Sequence, residues 1–263
     1  MENFPKVLVA APTYEGMKYC EKEFLESIKN FDYPNYDILL VDNSKTEDYF
    51  NHLKEDSKIK VIRIDEGEKN MQRLINSRNK IMDYALKNNY DYIFMLDSDV
   101  ICPKGIIKEL LFCNKEIVSG IYFNLFKVNG KLEEHPVAWK SITEKDFEEI
   151  KKEIELPEFI KSHLDLRRHL TKEEIESNEL IEVIIPSAGC LLIKRNVFEK
   201  INYGLLDTKK YNNIQTGEDI FFILNAKEKG FKSYCNTKIK CKHILDGKFR
   251  IDEKGVKHHP MYD

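Results

Sequence analysis

The sequence predicts an α/β fold with a mainly parallel central sheet flanked by helices. Three observations carry that expectation. Apolar, strand-like runs alternate with helix-periodic segments through the first half of the chain. Polar and acidic residues collect where those runs end. One run, Tyr92-Ile93-Phe94-Met95-Leu96, stops abruptly at Asp97-Ser98-Asp99. Continuous apolar runs read as strands buried on both faces, and strand–helix repetition predicts parallel strands joined by right-handed crossovers. At 263 residues the chain can bury a full core. The expected organisation is one domain over residues 1–246, with a helical or irregular insertion at about 125–182, followed by a tail over 247–263.

Val7-Leu8-Val9-Ala10-Ala11 reads as the first strand, stopped by Pro12-Thr13-Tyr14. From Tyr19 to Lys29, Phe24, Leu25 and Ile28 fall along one side of a helix. Tyr36 to Val41 is a second strand ending at Asp42-Asn43-Ser44, and Lys58 to Ile64 a third. A helix from about Met71 to Lys87 carries Leu74, Ile75, Ile81, Met82, Ala85 and Leu86 before the acid-tipped strand. The middle of the chain is charged and reads as helical over Glu144–Glu155, Glu158–Leu170 and Thr171–Leu180, the last opened by a capping box at Thr171 and Glu174.

Thr13, Asp42, Asp97 and Asp99 therefore share one rim, where open α/β sheets bind ligands. Two carboxylates as close as Asp97 and Asp99 repel unless a cation or hydrogen bonds offset them, which suits a divalent metal. The chain has no Gly-x-Gly, no phosphate-binding loop, no serine nucleophile elbow and no His-Glu-x-x-His. Acids and a metal in place of a glycine loop suit a nucleotide diphosphate held through its cation.

Composition excludes other classes. With 42 basic and 45 acidic residues there is no global bias towards nucleic acid. The six cysteines form no Cys-x-x-Cys pair and read as reduced thiols of an intracellular, cytoplasmic protein. No apolar run approaches the ~20 residues needed to span a bilayer, which leaves peripheral contact with a membrane surface open.

In order along the chain, Val7 to Tyr14, Leu39-Leu40-Val41-Asp42-Asn43-Ser44, Ser77-Arg78-Asn79, Leu96-Asp97-Ser98-Asp99, Ser187 to Arg195 and Gly217-Glu218-Asp219 resemble the successive motifs of GT-A fold glycosyltransferases, family 2 in particular. The chain departs from the family pattern at Glu15, Val100 and Phe221, and residues 125–182 carry no motif that resembles the family. The resemblance implies a metal-dependent, hexosyltransferase-like enzyme that moves a sugar from a UDP- or GDP-sugar to an acceptor hydroxyl, and the lack of membrane spans and of a Gln-x-x-Arg-Trp motif reads as non-processive. Its cofactor would be Mn2+ or Mg2+, and the acceptor, whether glycan, lipid-linked or protein, stays open. Inversion is the expected outcome, although GT-A folds serve both stereochemistries. A nucleotidyltransferase making nucleotide sugars would need a glycine-rich basic loop after the first strand. A non-catalytic nucleotide-sugar binder would not need Asp99 and Asp219.

The resemblance also assigns roles. Asp99 would ligate the metal with His243, and Asp97 would bond ribose or metal-bound water. Pro12, Thr13 and Tyr14 would contact the nucleoside. Asp42 would accept from a base edge, or else cap a turn with Asn43 and Ser44. Arg78 would reach base or phosphate, or else form a helix-surface ion pair. Asp219 would be the general base, although acids at a helix start are also favoured by the helix dipole, which alone would explain Glu218. Trp139 is either an acceptor platform or core. His258 and His259 belong to the tail.

Overall fold

The computed structural model describes residues 4–64, 70–128, 130–158, 160–206 and 217–245, together with the backbone of two short strands, β15 (Arg250–Ile251) and β16 (Lys257–His258). The rest of the tail, including His259, lies outside the described residues, as do the side chains of those two strands. The first half of the chain runs β1 (Val7–Thr13), α1 (Glu21–Ile28), β2 (Tyr36–Asp42), α2 (Asp48–Leu53), β3 (Lys60–Arg63), α3 (Asn70–Lys87) and β4 (Tyr92–Leu96). Next come β5 (Val100–Ile101), α4 (Ile106–Phe112), β6 (Ile117–Ile121), the hairpin β7 (Phe123–Val128) and β8 (Lys131–Pro136), and β9 (Trp139–Ser141). The chain continues with α5 (Glu144–Glu153), β10 (Arg167–His169), α6 (Lys172–Glu176), β11 (Leu180–Val183), β12 (Cys190–Lys194) and α7 (Arg195–Phe198). It then forms α8 (Glu218–Glu228), β13 (Ser233–Lys240) and β14 (Lys242–His243).

Eight strands form the central sheet in the order β11-β13-β6-β12-β4-β1-β2-β3. The block β4-β1-β2-β3 is wholly parallel, while β12 runs antiparallel between β4 and β6. β1 is buried at every position, as expected of a strand covered on both faces. Its alternate residues feed two cores. Val7, Val9 and Ala11 pack with Phe24 and Ile28 of α1 and Ile106, Ile107 and Leu110 of α4. Leu8 and Ala10 pack on the other face with Ile75, Ile81, Met82 and Ala85 of α3 and Phe222, Ile223 and Ala226 of α8. This period-two division fixes register, because a slip by one residue would exchange the faces.

The inserted segment differs from its expected helices. Glu144–Glu153 is helical, with a capping box between Thr143 and Asp146, and Thr171 and Glu174 form the expected box at α6. The stretch Glu158–Leu170 is not a helix. Ser162 and Asp165 cap a single 3-10 turn, after which Arg167–His169 pairs antiparallel with β9. The turn's local side-chain bonds outcompete helix propagation, and the cross-strand contact of His169 with Trp139 favours extension. No helix among the described residues is long and apolar enough to cross a membrane, and all six cysteines are free thiols.

Candidate active site

Parallel pairing places the ends of β1, β2 and β4 on one rim, with Thr13 opposite Asp42. β12 starts there as well, because Cys190 pairs with Leu96, and the Asp97 amide donates to the Gly189 carbonyl at 3.0 Å. A cavity of about 480 Å3 opens at this rim, lined among others by Pro12, Thr13, Tyr14, Arg78, Asp97, Asp99, Asp219 and His243. That volume lies within the usual range of small-ligand sites.

Arg78 organises the floor. It is 3% exposed. Its Nη2 donates to Asp97 Oδ1 at 2.8 Å and its Nε to Glu218 Oε1 at 2.9 Å. The two acids outweigh burial and hold its guanidinium above its ordinary pKa. This is a buried pair of ion bonds rather than a helix-surface contact, and Nη1 stays buried without a hydrogen-bond partner among the described residues. The neighbouring residues of α3 serve the same floor. Ser77 Oγ accepts from Asn43 at 3.0 Å. Asn79 exchanges two hydrogen bonds with the Tyr203 backbone, which places the Tyr203 ring 5.3 Å from the Arg78 guanidinium.

Asp97 and Asp99 diverge. The Asp97 carboxylate turns to Arg78 and lies so close to Gly189 that a Cβ there would meet Asp97 Oδ2 at 2.7 Å and the Tyr122 hydroxyl at 2.9 Å. Asp99 instead accepts from the Tyr19 hydroxyl at 3.2 Å and faces His243 Nε2 at 3.4 Å, both through Oδ2. Among the described residues no three His, Cys, Asp or Glu side chains converge as a metal site. Arg78 turns the Asp97 carboxylate one way, while Asp99 and His243 face each other.

His243 Nδ1 lies 3.2 Å from the Phe123 carbonyl. A carbonyl only accepts, so this contact places a proton on Nδ1, and Nε2 is the ring nitrogen that faces Asp99. β14 pairs with β5 so that His243 sits opposite Val100, directly after the acidic pair.

Asp42 lies beneath the cavity rather than on its wall. It is fully buried, and its Oδ1 accepts from the Ser44 amide at 3.2 Å and the Ser44 hydroxyl at 2.5 Å. Oδ2 has no hydrogen-bond partner among the described residues, and burial raises the pKa of the group. Asn43 takes the lining position instead.

Asp219 opens α8 and lines the cavity. Burial first, and then the neighbouring Glu218 charge, push its carboxyl pKa up from 3.8 to about 6. Gly217 is fitted to it, since a Cβ at that position would collide with Asp219 Oδ1. Glu218 is 5% exposed and belongs to Arg78, not merely to the helix terminus. Sequence reasoning missed this partner, along with Asn43, Tyr19 and Tyr122. Gly189 between Ala188 and Cys190 was the one local hint of a close approach.

The sequence profile of Glycosyl transferase family 2 matches residues 9–201. The chain belongs to glycosyl transferase family 2. Among solved structures it is similar to GalNAc-T7 with UDP, GalNAc and Mn2+, with a TM-score of 0.59 and 16% identity, covering 93% of this chain and 44% of that one. It is also similar to residues 1–349 of S. aureus TarS in complex with UDP-GlcNAc, with a TM-score of 0.50 and 14% identity, covering 91% of this chain and 59% of that one. At such identities the likeness is one of fold, and the GT-A architecture is shared. The chain spans about half the length of these structures. A search of curated proteins gives no match.

Proposed function

We propose that this family 2 glycosyltransferase moves a sugar from a nucleotide-diphosphate donor to an acceptor hydroxyl, with Asp219 as general base, by a metal-dependent, inverting and non-processive reaction. The observation that carries the reading is a carboxylate with a pKa of about 6 in the same cavity as the Asp99–His243 pair. A base poised near the working pH combines the correct protonation state with useful proton affinity. Asp219 takes the acceptor proton as the acceptor oxygen bonds to the sugar's anomeric carbon, and the bond from that carbon to the diphosphate oxygen breaks.

Asp99 and His243 would hold Mn2+ or Mg2+, which supplies Lewis-acid stabilisation of the departing diphosphate. An imidazole ligand favours Mn2+. Arg78 lines the cavity, and its Nη1, without a partner among the described residues, is the guanidinium nitrogen that would donate to donor oxygens. Pro12, Thr13, Tyr14 and Asn43 line the nucleoside side. Asp42, fully buried, shapes that wall through Ser44. UDP is the favoured nucleotide, because the two similar structures named above are complexes with UDP or a UDP-sugar.

A thermal-shift screen of UDP-, GDP-, CDP- and dTDP-sugars with and without Mn2+ tests this reading, because a ligand bound only by the folded chain raises Tm. A Mn2+-dependent rise with UDP-sugars is expected. No shift with any of them would contradict the reading.

A further inference from the structure

Tyr122 lines the cavity with a hydroxyl that the rest of the site does not use. It follows β6 directly and is only 5% exposed. Its ring stands edge-on to His243, with centroids 5.2 Å apart, and belongs to the core cluster that includes Val118, Val137 and Cys190. Its carbonyl accepts from the Val137 amide at 2.9 Å, so backbone and ring are both held. A buried tyrosine hydroxyl ordinarily finds a hydrogen-bond partner. Among the described residues this one has none.

The hydroxyl comes up beside Asp97. One point, the place a Cβ would take on Gly189, lies 2.9 Å from the Tyr122 hydroxyl and 2.7 Å from Asp97 Oδ2. Two atoms that near to a common point are close enough for a single ligand oxygen to bond to both. Arg78 occupies Asp97 Oδ1, whereas Oδ2 has no hydrogen bond among the described residues. An ionised carboxylate only accepts, and a phenol also donates. An alcohol satisfies the two together, donating to Asp97 while it accepts from Tyr122. A phosphate oxygen would be repelled by the carboxylate. The order of strands says which alcohol. β12 runs antiparallel to both β4 and β6, so β6 ends on the same rim as β4. Along that rim Thr13 and Asn43, assigned to the nucleoside, stand at β1 and β2, Asp99 follows β4, and Tyr122 lies two strands further on. A nucleotide sugar laid along this line brings its sugar, not its ribose, to Tyr122.

We propose that the Tyr122 hydroxyl, together with Asp97 Oδ2, binds one hydroxyl of the sugar being transferred and so helps to select the donor sugar. The ring is set in place before the ligand arrives, which limits the entropy lost on binding. The inference rests on the donor reading proposed above and gives Tyr122 to the sugar rather than to the nucleotide or the cation.

The test is calorimetric titration of the full chain in Mn2+, wild type against Tyr122→Phe, with UDP, UDP-glucose and UDP-GlcNAc. Monodeoxy analogues of whichever UDP-sugar binds wild type more tightly complete the series. Phenylalanine keeps the ring and its packing. Loss of one neutral hydrogen bond should weaken UDP-sugar binding by roughly two- to tenfold and leave UDP affinity unchanged. One deoxy analogue, lacking the contacted hydroxyl, should bind wild type and variant equally. Wild type alone should show at least the same factor between that analogue and its parent. Equal UDP-sugar affinity in the two proteins, or deoxy analogues that all bind wild type like their parent, would overturn the proposal. So would a fall of the same size for every analogue. A parallel fall for UDP would overturn it too, by moving Tyr122 to the nucleotide or the cation. Wild type that does not bind UDP at all would instead sink the donor reading.

Discussion

Two carboxylates, one at the sheet rim and one in the inserted segment, are pushed in opposite directions by their surroundings. Asp219 at the rim is raised to about 6, chiefly by burial. Glu174 in the insertion is lowered from 4.5 to about 2, chiefly by its hydrogen bonds to Arg168. The consequences for stability have opposite signs. Ionising Asp219 is harder in the folded chain, so this group opposes folding increasingly as pH rises from 3.8 to about 6. Glu174 contributes stability above its usual pKa of 4.5 that is lost as pH falls towards 2. The rim carries a destabilised charge that chemistry can use, whereas the insertion spends its charges on holding itself together.

The largest effect that could break this contrast is in turnover. Asp219→Asn should lower kcat by about two to four orders of magnitude while a UDP titration stays unchanged. Robust transfer by that variant would remove the residue from the base role. Next comes the floor. Arg78→Met leaves Glu218 buried and unpaired, so urea unfolding should show a loss of about 3 kcal/mol, the low end of the range because Asp97 is partly exposed. A loss below about 1 kcal/mol would reduce these contacts to a surface pair. Gly189→Ala drives a methyl group into the Asp97 carboxylate. Overpacking of this kind costs about 1–3 kcal/mol, and a UDP titration of the variant should show weaker binding; unaltered stability and affinity would mean that the rim yields freely.

The pH profile sharpens the comparison further. Because Asp219 must be ionised to accept a proton, kcat/KM should fall on the acid side with an apparent pKa near 6. A flat profile down to pH 5, roughly where an unperturbed carboxylate is still ionised, would contradict the assignment. The smallest effect belongs to the insertion. Glu174→Gln should cost at most about 1 kcal/mol, seen by thermal unfolding at neutral pH and vanishing in acid, with UDP binding intact. Loss of UDP binding would show that the two regions are not independent.

The same contrast explains what the sequence revealed. In the first half, β1, β2, β4 and α3 announce themselves because both faces of each strand are apolar and the helix repeats its buried positions at regular spacing. Strand ends then place Thr13, Asp97 and Asp99 without further information. Arg78 was visible as a motif residue, but its partner Glu218 lies 140 positions away, beyond any local pattern. Asp42 ended on the expected strand, yet Ser44 two residues on claims its Oδ1, a choice that only three-dimensional burial decides. In the insertion, the charges of Leu166-Arg167-Arg168-His169 masked a short strand held by ring contacts across to β9. Such short pairings are stabilised by cross-strand side chains more than by periodicity.

The central claim is that the rim grips a nucleotide diphosphate through a cation held by Asp99 and His243. Calorimetric titration of UDP in Mn2+ and in EDTA, for wild type and Asp99→Asn, tests it most directly. Wild type should bind UDP at least about tenfold tighter with Mn2+, a difference of ~1.4 kcal/mol, and Asp99→Asn should abolish that difference. Equal affinity in Mn2+ and EDTA, or a metal effect that survives in Asp99→Asn, would contradict the account.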